Sequence, residues 1–137
     1  AALEQHAGAG PIGVTGYCMG ARLAVRTAGW HPGTVAAVGG FHGGGLVTDA
    51  PDSPHLLADR IRAEVYVAAA DKDQGMPPEQ QRRLDAALTE AGVRHVCEQY
   101  DGATHGFTMA DTAVYDEAAT ERHWQALLPL LARTLKG

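Results

Sequence analysis

The sequence predicts an α/β fold: a mostly parallel sheet flanked by helices. Three observations carry this expectation. Short apolar runs alternate with helix-forming runs along the chain, the pattern of strands joined by helical crossovers. One of these runs, Thr34-Val35-Ala36-Ala37-Val38-Gly39-Gly40-Phe41, is apolar throughout and carries β-branched residues, as a strand covered on both faces does. The turn between the first strand and the first helix holds Gly16-Tyr17-Cys18-Met19-Gly20, a Gly-x-Cys-x-Gly sequence that requires a strand before it and a helix after it.

The elements follow in order. Residues 1–8 read as the end of a helix with a glycine stop, with no initiator methionine before them. Residues 11–16 form the first predicted strand. Residues 19–29 form a helix, stopped by Gly29 with Pro32 beyond it. Residues 34–41 form the second strand. The stretch 42–63 is rich in Gly, Asp and Pro and reads as a long loop, with a short helix over 56–61. Loops of that length often line sites. Residues 63–70 give a third strand, and Pro77 and Pro78 open a helix that runs to Ala91 and stops at Gly92. Residues 93–100 alternate polar and apolar, which predicts a fourth strand at a sheet edge. The last helix is predicted over 113–135. Trp124, Leu127, Leu128, Leu131 and Leu135 lie on one face, and Pro129 is a point for a kink. The expectation is a single domain over residues 1–137, the C-terminal portion of a longer fold that lacks its N-terminal strands.

Composition excludes several classes. The chain is 45% hydrophobic and 20% charged, which is globular and not disordered. A net charge of -5 supplies no basic field for nucleic acid. No apolar run approaches the roughly 18 residues of a membrane span, and no signal peptide is visible. Two cysteines in 137 residues are no disulfide framework. A reactive Cys18 fits a reducing compartment, so the expected location is cytoplasmic.

The chemistry centres on Cys18. A sharp strand-to-helix turn holds a nucleophile in strained backbone, with glycines on either side so that neighbouring backbone can approach. A thiol at a helix N-terminus gains thiolate character from the dipole. The Met19 N–H would face the oxyanion of a tetrahedral intermediate. Such a nucleophile needs a base and an orienting carboxylate. Candidates follow in the expected chain order: Asp71 and Asp73 after the third strand, and His105 after the fourth. Of seven histidines, His6, His31 and His55 read as surface residues, and His95 and His123 as structural ones. His42 directly follows the second strand and is expected to line the pocket, with His105 preferred as the base. Cys97, in mid-strand, reads as a packing residue. No H-x-H, HExxH or CxxC spacing occurs, so neither a metal nor a cofactor is expected.

With these residues in place, the chain resembles the dienelactone hydrolase family within the α/β-hydrolase fold. The resemblance rests on Gly16-Tyr17-Cys18-Met19-Gly20, on Asp73-x-x-Met76-Pro77, on Gly102-Ala103-Thr104-His105-Gly106-Phe107, and on Tyr115-Asp116-Glu117-Ala118-Ala119 leading into Trp124. It implies a Cys18–His105–Asp73 triad that hydrolyses esters or lactones, and it selects Asp73 over Asp71. It further implies Met19 N–H as half of an oxyanion hole; substrate contacts are expected at Tyr17, His42 and Phe107. Two departures stand out. The family carries a long segment before the elbow, with several strands, a second oxyanion donor and a glutamate that partners the cysteine. The prototype also places an arginine shortly after the catalytic histidine, where this chain has Gly106, Phe107, Thr108, Met109 and Ala110. A neutral or more apolar ester is therefore as well suited as a dienelactone. The expected partner is that small molecule, with a homo-oligomer left open. A thioesterase, or a non-catalytic or redox-sensing protein on the same fold, is the alternative.

Overall fold

The computed structural model describes residues 11–135; the helix end predicted over residues 1–8 lies outside them. Four strands, β1 (Ile12–Tyr17), β2 (Val35–Phe41), β3 (Glu64–Ala70) and β4 (His95–Tyr100), pair in the order β1-β2-β3-β4. Every pairing is parallel. The connections carry α1 (Met19–Trp30), a 3₁₀ helix (Pro54–Arg60) and α2 (Pro78–Glu90), and the chain closes with α3 (Glu117–Thr134).

The sheet is covered on both faces, which explains its apolar strands. Val65, Val67 and Ala69 of β3 point to one side, into a core with Ala24, Val25 and Ala28 of α1 and Leu84 and Leu88 of α2. Ala68 and Ala70 point to the other, against Phe41, Tyr100, Phe107 and the α3 residues Ala119 and Leu127. The period of two along β3 thus separates two cores. The register aligns the strands at their C-terminal ends: Tyr17 pairs with Phe41, Phe41 with Ala68, and Ala70 with Tyr100.

Two boundaries and one helix face differ from the expectation. The short helix of the long loop is 3₁₀ and starts at Pro54. The final helix starts at Glu117 and not at 113, because Asp116 takes the N-cap: its Oδ1 accepts the Ala119 N–H at 2.9 Å, and its own N–H donates to the Phe107 carbonyl at 2.9 Å. The buried line of α3 runs through Ala119, His123, Leu127 and Leu130, while Trp124 and Leu128 face outward. The helix continues through Pro129, which is exposed.

Candidate active site

The chemistry-bearing residues collect at the C-terminal strand ends, where open α/β sheets place their crevices. Among the described residues, three that carry side chains have positive φ: Cys18 at 55°, His42 at 38° and Lys72 at 56°. They follow β1, β2 and β3 respectively. Backbone strain of this kind concentrates at functional sites.

Cys18 sits in the elbow with ψ -123°. Its N–H donates to the Phe41 carbonyl at 3.1 Å, and its carbonyl accepts the Ala21 N–H at 3.1 Å. The close approach that the glycines permit is one-sided. A Cβ on Gly16 would lie 2.0 Å from the Gly20 carbonyl oxygen, whereas a Cβ on Gly20 would meet nothing within 4 Å. The Met19 N–H is the first of α1 and so has no carbonyl within the helix to receive it. The Met19 side chain is exposed.

Asp73 and His105 meet across the β3 and β4 loops. His105 Nδ1–H donates to Asp73 Oδ2 at 2.7 Å, and Asp73 Oδ1 accepts the Gly75 N–H at 2.9 Å. This leaves His105 Nε2 as the free, basic nitrogen. Asp71 has other work: it accepts the Gly102 N–H at 2.8 Å and a Gln99 Nε2–H at 3.2 Å. Lys72, with its positive φ, reverses the chain between the two aspartates, so one braces the β4 loop and the other reaches the imidazole.

Cys18 Sγ does not hydrogen-bond His105. Its partner is His42 Nδ1 at 3.2 Å, and His42 Nε2 pairs with Thr108 Oγ1 at 2.8 Å. Sγ, a ring nitrogen of His42 and a ring nitrogen of His105 nevertheless all lie within 4.8 Å of one another. Burial, reinforced by the neighbouring His105, lowers the His42 pKa to about 4, so its ring is neutral at pH 7. Burial, and secondarily the Asp73 carboxylate, raises the Cys18 pKa. The resting sulfur is therefore a thiol, not the thiolate that the helix terminus alone would favour. Cys97 is inert by comparison, since burial pushes its thiol up to about 12.

The three expected substrate contacts divide. Tyr17 is partly exposed. Its ring stacks on Phe41 with centroids 5.5 Å apart, and its hydroxyl donates to His123 Nε2 at 2.6 Å. That direction follows because His123 Nδ1–H is given to the Thr120 carbonyl at 3.1 Å. Tyr17 lines a cleft of about 320 Å³ with Thr108, Met109, Thr120, His123 and Trp124. Phe107 is wholly buried and packs edge-on behind His42, with centroids 4.6 Å apart, so it supports that ring and is not among the residues lining the cleft. His42 is also fully buried and touches Cys18 Sγ in place of the cleft. Thr108 and His123 are the participants that sequence reasoning missed. Thr108 adjoins the His-Gly-Phe run but carries no signal of its own, and His123 looks like any helix-face histidine until Tyr17 is placed opposite. Two larger clefts, about 400 and 390 Å³, flank the 3₁₀ helix and hold none of these groups.

The family profile described as "Dienelactone hydrolase family" matches residues 1–135. The chain belongs to the dienelactone hydrolase family. A curated relative from Salmonella typhi, named "Putative carboxymethylenebutenolidase", is 29% identical over 124 residues, covering 88% of this chain and 45% of that protein. A crystal structure described as that of a "Putative Dienelactone Hydrolase" from Klebsiella pneumoniae superposes with a TM-score of 0.78 at 25% identity, over 88% of this chain and 51% of the other. The acylaminoacyl peptidase of Pyrococcus horikoshii, 15% identical with a TM-score of 0.72, covers 98% of this chain and 26% of its own and shares the fold alone. The chain spans about half the length of the curated relatives it matches. Among the described residues, no helix is long and apolar enough to cross a membrane.

Proposed function

We propose that this chain carries the nucleophile, base and acid of a cysteine-dependent hydrolase of carboxylic esters or lactones. The observation that supports it most is the convergence of Cys18, His105 and Asp73 from three strand ends, with His105 Nδ1–H held by Asp73 at 2.7 Å. In this reading the Cys18 thiol leaves its contact with His42 and gives its proton to His105 Nε2 as Sγ attacks the carbonyl carbon. Asp73 steadies the imidazolium that forms. The Met19 N–H stabilises the oxyanion. Collapse expels the alkoxide, which takes the proton from His105. Water, activated by the same ring, then cleaves the thioester and returns the free thiol.

The cleft beside Tyr17 is lined by aromatic, thioether and hydroxyl groups and by no cation, which favours a neutral acyl or alcohol group over a carboxylate-bearing lactone. Both cysteines are free, which supports a reducing compartment such as the cytoplasm. The test is ester turnover by the protein and by its Cys18→Ala variant. Loss of turnover with unchanged folding is the expected result; turnover retained in the variant would refute the reading.

A further inference from the structure

The strand ends that gather the proposed triad also gather a donor set of a different kind. Cys18 Sγ, one nitrogen of His42 and one nitrogen of His105 lie within 4.8 Å of one another. They come from the ends of β1 and β2 and from the loop after β4. No spacing motif announces them, because they are 24 and 63 residues apart in sequence (18 to 42, 42 to 105). Each imidazole has its far nitrogen engaged. His105 Nδ1–H is held by Asp73 Oδ2 at 2.7 Å, and His42 Nε2 is paired with Thr108 Oγ1 at 2.8 Å. The near nitrogens are thereby turned toward the sulfur, with His42 Nδ1 at 3.2 Å. A carboxylate or hydroxyl behind each ring is the outer-shell arrangement that orients metal-binding histidines.

We propose that Cys18, His42 and His105 form a three-ligand site for a thiophilic divalent cation, with Zn²⁺ the best chemical match, and that the bound ion withholds the nucleophile from reaction. One thiolate and two imidazoles suit zinc in both softness and number, leaving a fourth position for water. Zinc bonds of about 2.3 Å to sulfur and about 2.1 Å to nitrogen place tetrahedral ligand atoms about 3.5 Å apart, a few tenths of an ångström more than the 3.2 Å between Sγ and His42 Nδ1 and within the 4.8 Å that bounds all three atoms. The half-exposed His105 ring leaves an entry path. Binding forms the Sγ–zinc bond and releases the thiol proton to solvent, with no change of oxidation state. The withholding of the nucleophile rests on the hydrolase reading above; the binding itself does not.

A second grouping, Asp85, His95 and Cys97, also has ligand atoms within 4.8 Å of one another, and it supplies the internal control. Co²⁺ is titrated into the metal-free protein, and the thiolate-to-cobalt charge-transfer band is followed in the near ultraviolet. The expected result is one tetrahedral cobalt per chain, displaced by Zn²⁺. The band should disappear in Cys18→Ser, persist in Cys97→Ala, and need roughly 10–100-fold more metal in Asp73→Asn. A band lost in Cys97→Ala and kept in Cys18→Ser would move the ion to the second grouping and overturn the proposal. So would the absence of any band in the unaltered protein. A measurement that needs no variant is the iodoacetamide labelling of each cysteine with and without Zn²⁺. Protection of Cys18 by more than about tenfold, with Cys97 unaffected, is expected, and equal labelling overturns the site. A cobalt band on titration together with no ester turnover by the metal-free protein would refute the hydrolase reading and leave the site standing; turnover by the metal-free protein with no band on titration refutes the site alone.

Discussion

Cys18, His42 and Lys72 each hold a left-handed backbone conformation that glycine would adopt more easily. The three stand just after successive strands of the sheet, at the edge where the candidate site gathers. Lys72 matters through its neighbours, since its reversal sends Asp71 and Asp73 to different partners. Asp73→Asn should lower kcat by between about 10² and 10⁴-fold, because the amide can no longer hold the correct His105 tautomer. Asp71→Asn should leave kcat near its starting value and cost about 1 kcal/mol of stability through its weakened bond to the Gly102 N–H. Steady-state kinetics and urea unfolding on the two variants separate the roles. The elbow glycines make a second pair. Gly16→Ala drives a methyl into the Gly20 carbonyl and should cost about 3 kcal/mol or more. Gly20→Ala meets open space inside α1 and should raise stability by up to about 1 kcal/mol. Thermal melts of both variants read this difference directly.

At the level of elements, the start of α3 deserves the closest test. Asp116 caps the helix through its carboxylate while its N–H holds the Phe107 carbonyl, two residues from His105. Asp116→Ala should cost about 1 kcal/mol in urea unfolding and should also loosen the loop that carries His105, the proposed base, raising KM more than the stability loss alone explains. Much of this architecture is legible in the sequence. The apolar runs at 34–41 and 63–70 give β2 and β3 because strands covered on both faces need no polar alternation. The elbow announces its turn because Gly16 has no room for a Cβ. The face of α3 is less legible. Trp124 and Leu128 fit the same helical stripe as Leu127, and only packing against Phe41 and Ala68 decides which are buried. The Cys18–His42 contact is illegible for a related reason: it depends on side-chain rotamers at two strand ends that the sequence separates by 24 residues. Spacing alone leaves the two aspartates alike; the resemblance selects Asp73, and the Lys72 reversal gives the physical reason that the two reach different partners.

Across the whole molecule, buried neutral imidazoles tie stability to pH. Burial lowers the pKa values of both His42 and His123, His42 to about 4. In the unfolded chain a histidine titrates near ~6.5. Between these values the unfolded state binds more protons, so folding stability is full above about pH 6.5 and is lost as pH falls through His42's folded value. The His42 contribution to that loss is up to about 3 kcal/mol. Urea midpoints measured from pH 7 to pH 4 should fall, and the slope should flatten in His42→Gln. An unchanged slope in that variant would assign the acid sensitivity to other groups. The parallel register sets how far such effects reach. It brings Tyr17, Phe41 and Ala68 level across β1, β2 and β3, so a charge gained at one strand end is felt at the others.

The bond between Tyr17 and His123 joins the first strand to the last helix, and the next residue along that helix is Trp124, whose ring lies 4.4 Å from the imidazole. An indole this close to a titratable ring has its emission quenched when the ring gains a proton. The only other indole, Trp30, lies at the far end of α1. With Trp30 replaced by phenylalanine, the light emitted by the remaining tryptophan would report, in real time and without any added dye, when the floor of the cleft is wetted, protonated or filled.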